Sequence, residues 1–344
     1  MRAMDRAKPL RAGEWLWLCR AGYEADLVEE LGGDASRVAA GLVRSPKRPR
    51  RGRDFVELAF ARQGLPVDEL AEATDARTLG AAVARAIAPA IGERPFALHA
   101  VTADSDEGNL LAQTASQVEE AAIASLPPQV RARRVAAHEA RETGDRLAQA
   151  CLLSRSRAAI GVIPVGEAVS LAPGGRRRIG APPGAPSRAA AKLLEAFDWL
   201  GRAPEAGELC IDLGAAPGGW SWVLLQRRAR VVAVDPARLA PSLARHRHLR
   251  HVAANAFQWL PDEPADWLLC DMAWRPLEVA ALLAKWGRRG AARFLVANVK
   301  LPMKKKVDMI RRVREILTTG GWRNIRVRQL YHDRDEVTLS AWRL

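Results

Sequence analysis

The chain has 344 residues, 49% of them hydrophobic and 27% charged, a length and balance that predict two folded units and exclude both a disordered chain and a disulfide-stapled miniprotein. Its four cysteines, Cys19, Cys151, Cys210 and Cys270, are too scattered for a Cys-x-x-Cys zinc site, so no metal is expected and a reducing cytoplasm fits best. Lys and Arg outnumber Asp and Glu by 53 to 39, which favours a polyanionic partner through phosphate contacts. That excess is uneven: residues 1–180 hold 26 basic and 23 acidic side chains, residues 181–344 hold 27 and 16. No run reaches the roughly 20 apolar residues that span a bilayer, and the first residues lead into no apolar signal core, so a soluble protein with no membrane partner is expected.

In chain order, alternation over residues 14–20 predicts a strand, residues 24–31 have helical spacing, and residues 55–60 read as a further strand. Between them, residues 44–53 (RSPKRPRRGR) carry six cations and two prolines and read as a basic loop. These elements make an α+β unit over residues 1–65. A second α+β unit over residues 66–172 follows from helical spacing at 79–91 and 110–124 and from strands at 96–103, 147–153 and 158–165. No nucleophile, metal cluster or phosphate loop is readable in either unit. Their basic clusters, residues 131–134 and 155–157, are as consistent with solvated faces as with ligand contacts.

Residues 173–186, rich in Pro and Gly, stop any regular element and predict a linker. Beyond it, apolar runs at 209–213, 231–234, 251–255, 267–270, 294–299, 325–330 and 337–342 alternate with helical segments. This predicts an α/β domain over residues 187–344 with a mostly parallel, doubly wound sheet of seven strands. The short polar turn at 331–335 predicts that the last two strands form an antiparallel hairpin.

The first strand of this domain ends in Asp212-Leu-Gly-Ala-Ala-Pro-Gly-Gly-Trp220, a glycine turn at the carboxyl end of a strand, where open α/β sheets bind ligands. Gly214, Gly218 and Gly219 permit close backbone approach and Pro217 stiffens the loop, while the spacing departs from G-x-G-x-x-G and disfavours a dinucleotide dehydrogenase. Asp235 ends the next strand, where a carboxylate can accept from both hydroxyls of an adenosine ribose. Asn255 ends the third and can reach an adenine. Asp271 ends the fourth, within Cys270-Asp-Met-Ala273, which is neither the Asn/Asp-Pro-Pro-aromatic of base amino-methylating enzymes nor the Pro-Cys of cytosine C5 enzymes. Cys270 reads as buried filler because adjacent strand residues face opposite sides. Two lysines, Lys192 at the opening of a helix and Lys300 at the end of a strand, together with Glu336 complete a set suited to activating a ribose hydroxyl. That hydroxyl is a poor nucleophile until a base removes its proton, and a lysine can do so only if a neighbouring positive charge disfavours its own proton.

These residues resemble the FtsJ-like RNA 2'-O-ribose methyltransferases, whose Lys-Asp-Lys-Glu tetrad falls on Lys192, Asp271, Lys300 and Glu336. The likeness extends through residues 185–197 (APSRAAAKLLEAF), 212–220, 270–272, 300–305 (KLPMKK) and 329–338 (QLYHDRDEVT). It implies a Rossmann-like class I methyltransferase domain with S-adenosylmethionine as methyl donor, held by Ser187, Ala216, Pro217, Gly218, Gly219, Asp235, Asn255 and Asp271, and with Lys300 as proton acceptor. It also implies RNA rather than DNA as partner: a cytidine of 23S ribosomal RNA, methylated before the subunit is fully assembled. Two departures are Ala216, where the family has cysteine, and Asn255, where it has an acid near the adenine; an amide oxygen can still accept from the adenine amino group. Over the N-terminal half the likeness rests on Cys19-Arg-Ala-Gly-Tyr-Glu24 and on element order, and implies a ferredoxin-like unit and a THUMP RNA-binding domain. THUMP domains also occur in tRNA-modifying enzymes, which leaves a tRNA substrate as an alternative. Against a non-catalytic ribosome-assembly factor stands the intact tetrad. The charge distribution points to residues 245–250, 304–306 and 311–314 as the surface that grips RNA.

Overall fold

The computed structural model describes residues 8–48, 58–140 and 144–343, and the chain divides into two compact units, Met1–Arg176 and Arg177–Leu344. In the first unit, β1 (Trp15–Leu18), β2 (Ser36–Ala39), β3 (Leu42–Ser45) and β4 (Gln63–Pro66) form a sheet in the order β2-β3-β1-β4, with α1 (Glu24–Leu31) following β1. A second sheet, β5-β8-β7-β6, is built from β5 (Glu69–Glu72), β6 (Phe96–Thr102), β7 (Arg146–Leu152) and β8 (Arg157–Pro164). One face of the second sheet, through Phe96, Leu98, Ala148, Ala150 and Ile160, packs on helices α2 (Ala76–Ile91) and α4 (Ala112–Ser125). Its other face meets the first sheet: Val101, Cys151 and Ala159 join Leu16, Leu18, Leu42 and Leu65 in one apolar cluster. The two expected N-terminal units therefore share a core.

Local chemistry explains several boundaries. Helix α2 starts at a capping box in which the Thr78 N–H donates to Asp75 Oδ1 (2.8 Å) and the Asp75 N–H donates back to Thr78 Oγ1 (3.3 Å). The helix expected over 110–124 is α4, and a short helix not expected from the sequence, α3 (Asp106–Leu110), precedes it across Leu111, with Ser105 as its cap. The strand expected at 55–60 falls partly on residues 55–57, outside the described residues, while residues 58–60 are irregular and the strand that enters the sheet is β4. Of the expected basic loop, residues 49–53 lie outside the described residues, and Arg44 belongs to β3. Arg44 ion-pairs with Glu14, and Arg48 pairs with Glu167 and lies over the Trp15 ring. Opposed carboxylates and an indole face hold these two cations against the unit. Pro173–Gly175 forms a single 3-10 turn on the first unit, where a Cβ on Gly175 would lie 2.0 Å from the Arg62 carbonyl oxygen.

The second unit opens with α6 (Ala189–Leu200), preceded in the chain by the short helix α5 (Pro128–Arg131) of the first. It continues with β9 (Leu209–Leu213), α7 (Gly219–Gln226), β10 (Arg230–Val234), β11 (Leu249–Val252), β12 (Ala265–Cys270), α8 (Pro276–Arg288), β13 (Ala292–Lys300), α9 (Lys306–Thr319), β14 (Arg323–Arg328) and β15 (Glu336–Trp342). The seven strands run β11-β10-β9-β12-β13-β15-β14. The first five are parallel, while β15 lies antiparallel to both β13 and β14, so the hairpin forms as its turn requires. This is a mixed α/β unit with a Rossmann-like sheet. The chain leaves β9 in one direction through β10 and β11 and returns to β12 on the other side, which opens a crevice at the carboxyl ends of β9 and β12. Helices α6 and α7 cover one face with Leu193, Phe197, Trp220 and Leu224. No helix among the described residues is long and apolar enough to cross a membrane.

Contact between the two N-terminal sheets leaves no room at Gly161, in the middle of β8, where a Cβ would lie 1.9 Å from the Pro66 carbonyl oxygen. Gly161→Ala is expected to cost about 1–3 kcal/mol, read as a lower midpoint for the first unit's transition in urea. An unchanged midpoint would disprove the close approach.

Candidate active site

Four motif positions follow strands that are neighbours in the sheet: Asp235 after β10, the glycine turn after β9, Asp271 after β12, and Lys300 as the last residue of β13. Parallel alignment alone brings these ends together. Asn255 differs from expectation. Strand β11 ends at Val252, and Asn255 lies in the loop beyond it, where its Oδ1 accepts the Phe257 N–H at 3.0 Å. The amide thus closes a local turn, a role its short polar side chain serves well.

Lys192, the fourth residue of α6, and Glu336, the first of β15, come from opposite ends of the unit. Lys300 and Glu336 are cross-strand partners in the β13–β15 ladder, so strand register itself places the cation on the carboxylate. Glu336 Oε2 lies 2.7 Å from Lys300 Nζ and Oε1 lies 2.5 Å from Lys192 Nζ, while Lys192 Nζ is 3.5 Å from Asp271 Oδ1. All four members of the expected tetrad meet in one cluster. Exposure separates them: the Glu336 side chain is 4% exposed, whereas that of Lys300 is 43% exposed and reaches toward solvent.

The charges are mutually dependent. Burial pushes Glu336 toward its neutral form, but the two ammonium groups outweigh it and hold its carboxyl below the usual range. Burial likewise works against charge on Lys192, yet Asp271 and Glu336 together raise it above an ordinary lysine. Asp271 is shifted upward because burial outweighs the pull of Lys192. Cys270 is fully buried and its thiol is pushed up to about 12 by burial, which removes it as a nucleophile.

At the glycine turn, Gly218 has φ +109° and caps the N-terminus of α7, and a Cβ on Gly219 would lie 2.2 Å from Ser187 Oγ. Ser187 Oγ is itself buried and makes no hydrogen bond within the protein, so a polar donor and acceptor is held ready against bare backbone at a helix N-terminus. Asp235 spans the same turn, accepting from the Ala216 N–H (3.1 Å) and the Ala237 N–H (2.7 Å). A cradle with an orphaned hydroxyl, a helix N-terminus and a half-exposed carboxylate fits a ligand carrying a carboxylate, an amine and a ribose. No cluster of potential metal ligands exists among the described residues.

Several buried polar residues left little trace in the sequence. Asp212 lies beneath the turn, fully buried, and accepts from Ser221 Oγ at 2.6 Å. Glu195 of α6 accepts the Tyr331 N–H (2.7 Å) and the His332 N–H (3.0 Å), with His332 Nδ1 at 2.6 Å, and so ties the hairpin turn to the helix that carries Lys192. Asn298, Thr338 and Asp333 line up behind Asp271. Asp212 and Asn298, each a polar residue inside an apolar strand, carry a readable signal.

Residues 185–312 match the FtsJ-like methyltransferase family, and the second unit is an enzyme domain of that class. Over nearly the whole chain the match narrows. The chain is 33% identical to the Ribosomal RNA large subunit methyltransferase M of Thauera aminoaromatica, covering 96% of both proteins. It is 34% identical to that of Alkalilimnicola ehrlichii, covering 100% of this chain and 98% of the relative. A Xylella fastidiosa relative is 45% identical over 46% of this chain and 48% of its own. The chain belongs to the Ribosomal RNA large subunit methyltransferase M family.

Asp212 carries a pH dependence of its own. Burial raises its carboxyl from 3.8 to about 7, so between those values the folded chain keeps a proton that the unfolded chain releases. Stability from this group is therefore present at low pH and lost as pH rises toward 7. Asp212→Asn, which preserves an acceptor for Ser221, is expected to gain melting temperature relative to the parent at about pH 8 compared with about pH 5, on the order of 5 °C. An equal difference at both pH values would rule out the buried proton.

Proposed function

We propose that this enzyme transfers a methyl group from S-adenosylmethionine to the ribose 2'-hydroxyl of a cytidine in 23S ribosomal RNA. The observation that carries this reading is the cluster of two lysines around one buried carboxylate, with Lys300 the more exposed of the two at 43% against 20% for Lys192. S-adenosylmethionine supplies, when bound, an electrophilic methyl group on a positive sulfonium. Ser187 and the backbone of Ala216, Pro217, Gly218 and Gly219 would hold its amino-acid end, Asp235 its ribose hydroxyls, Asn255 its adenine, and Asp271 the side facing the tetrad.

Lys300 is the proposed proton acceptor. It is the more exposed of the two tetrad lysines and pairs with one carboxylate, while Lys192 is fixed by two. Glu336 aims Lys300 through their shared ladder position and receives no proton itself. Lys192 and Asp271 hold the other side of the hydroxyl's approach, so that the oxygen's lone pair and its departing proton have fixed directions.

An RNA substrate is supported at the rim. Trp274 and Met303 are 53% and 95% exposed on the loops that follow β12 and β13, and residues 304–306 flank Met303. Exposed apolar side chains interleaved with cations suit an unpaired base and its phosphates. The other basic stretches fit this role less well than their charge suggested. Residues 245–248 lead into the start of β11, the end of the parallel sheet opposite the tetrad, and Arg311 is engaged by Asp308 and Glu315. In the first unit we assign residues 1–65 to a ferredoxin-like fold and 66–172 to a THUMP-like RNA-binding domain, joined by a linker at 173–186 to the catalytic domain at 187–344. We place its action in the cytoplasm, on rRNA not yet buried in the assembled subunit, where a single ribose is still within reach.

Lys300→Ala is expected to lower methyl transfer at least about a thousandfold while calorimetry still shows S-adenosylmethionine binding near parental affinity. Near-normal turnover would overturn the proposed base. Mapping ribose methylation in cells that lack the protein should show one lost mark in 23S rRNA. A mark lost from tRNA would reject the substrate, and no lost mark would favour a non-catalytic role in ribosome assembly.

A further inference from the structure

Behind Asp271 runs a line of buried polar side chains. Asn298 Nδ2 donates to Asp271 Oδ1 at 3.1 Å. Thr338, the cross-strand partner of Asn298, places its Oγ1 2.9 Å from Asn298 Oδ1 and 2.9 Å from Asp333 Oδ2. Asp333 Oδ2 also accepts the Leu330 N–H (2.9 Å) and the Thr338 N–H (3.1 Å). Asn298, Thr338 and Asp333 are all buried.

Three contacts link these four side chains, and each needs one hydrogen. The Thr338 hydroxyl has one to give, and the Asn298 amide presents hydrogens on one side only. If both carboxylates are ionised, two hydrogens serve three contacts and one pair of oxygens meets bare. With the amide facing Asp271, the gap lies on one side of Thr338. With the amide turned, it lies between Asn298 and Asp271. One added proton closes the chain, either on Asp333 with the amide toward Asp271 or on Asp271 with the amide toward Thr338.

We propose that Asp333, Thr338, Asn298 and Asp271 form a one-proton chain in which the proton resides at Asp333, and that its first three members are positioning residues that keep Asp271 ionised and aimed at Lys192. The surrounding charges choose the end. Asp271 is faced by Lys192 of α6, which favours its anion, as well as by Glu336 of β15 and Asp212 of β9. Asp333 is faced by the acids Glu336 and Glu195, the latter carrying His332, and by Lys192 at longer range. Burial and Glu336 move Asp333 well above an ordinary aspartate. The chain thus stores, three residues behind the tetrad, the proton that would otherwise neutralise Asp271.

The role of this chain in catalysis rests on the lysine-base reading, but its proton does not. Carbon-13 carboxyl spectra of the full-length parent protein are expected to show Asp333 protonated and Asp271 ionised at neutral pH. Both ionised, or the proton at Asp271, would overturn the proposal without any variant being made. Thr338→Val, which removes the hydroxyl at nearly constant volume, is expected to slow methyl transfer about tenfold and to displace the acid limb of the pH–rate profile, with Thr338→Ser restoring both. Parental rates and an unshifted limb in Thr338→Val would overturn the positioning role. In Lys300→Ala the Asp333 proton should persist. Activity in that variant would remove the lysine base, while the carboxyl spectra would still decide whether Asp333 holds the proton.

Discussion

Two lysines from distant parts of the second unit share one half-buried site because Glu336 stands between them, one carboxylate oxygen to each ammonium. Without that carboxylate, two like charges would face each other where water screens them poorly, and the cluster would spread. The remaining polar architecture follows from this pairing. Asp271 takes the second face of Lys192, Asn298 orients Asp271, and the hairpin must carry Glu336 in one register, since a shift by one residue would turn its side chain to the other face of the sheet.

Much of this is legible in the sequence where the signal is local. The glycine turn, Asp235 and Asp271 each sit at the end of an apolar run, and the rule that parallel strands bind ligands at their carboxyl ends places them together. The tetrad needs more, because Lys192 and Glu336 are far apart in the chain, and only the family resemblance joins them. In the first unit, β2, β3, β4 and β5 are four residues each, too short for alternation to stand out, and the core shared by the two sheets has no sequence signature.

Where sequence and structure part, the common origin is that neighbourhood along the chain is not neighbourhood in space. Residues 245–250 are basic and belong to the catalytic unit, yet a segment that enters a parallel strand lies at the end opposite the segment that leaves it. Arg44 resembles part of a solvated run but pairs across two strands with Glu14. Glu195 and Asp333 escape notice for the converse reason. An acid reads as a surface residue until the donors that surround it are known, and for Glu195 those donors are 136 and 137 residues away.

That last carboxylate has a mechanical consequence. Glu195 is three residues after Lys192 on α6 and grips Tyr331 and His332, just ahead of Glu336. Helix and hairpin are thereby riveted at one point, with the lysine on one arm and its counter-ion on the other. A push that tilts α6 carries the hairpin turn with it, so the spacing between Lys192 and Glu336 is conserved. Asp271 is tied to the same hairpin through Asn298 and Thr338, so helix, hairpin and strand end form one clamp, and the tetrad keeps its spacing as a unit when the helix is pushed.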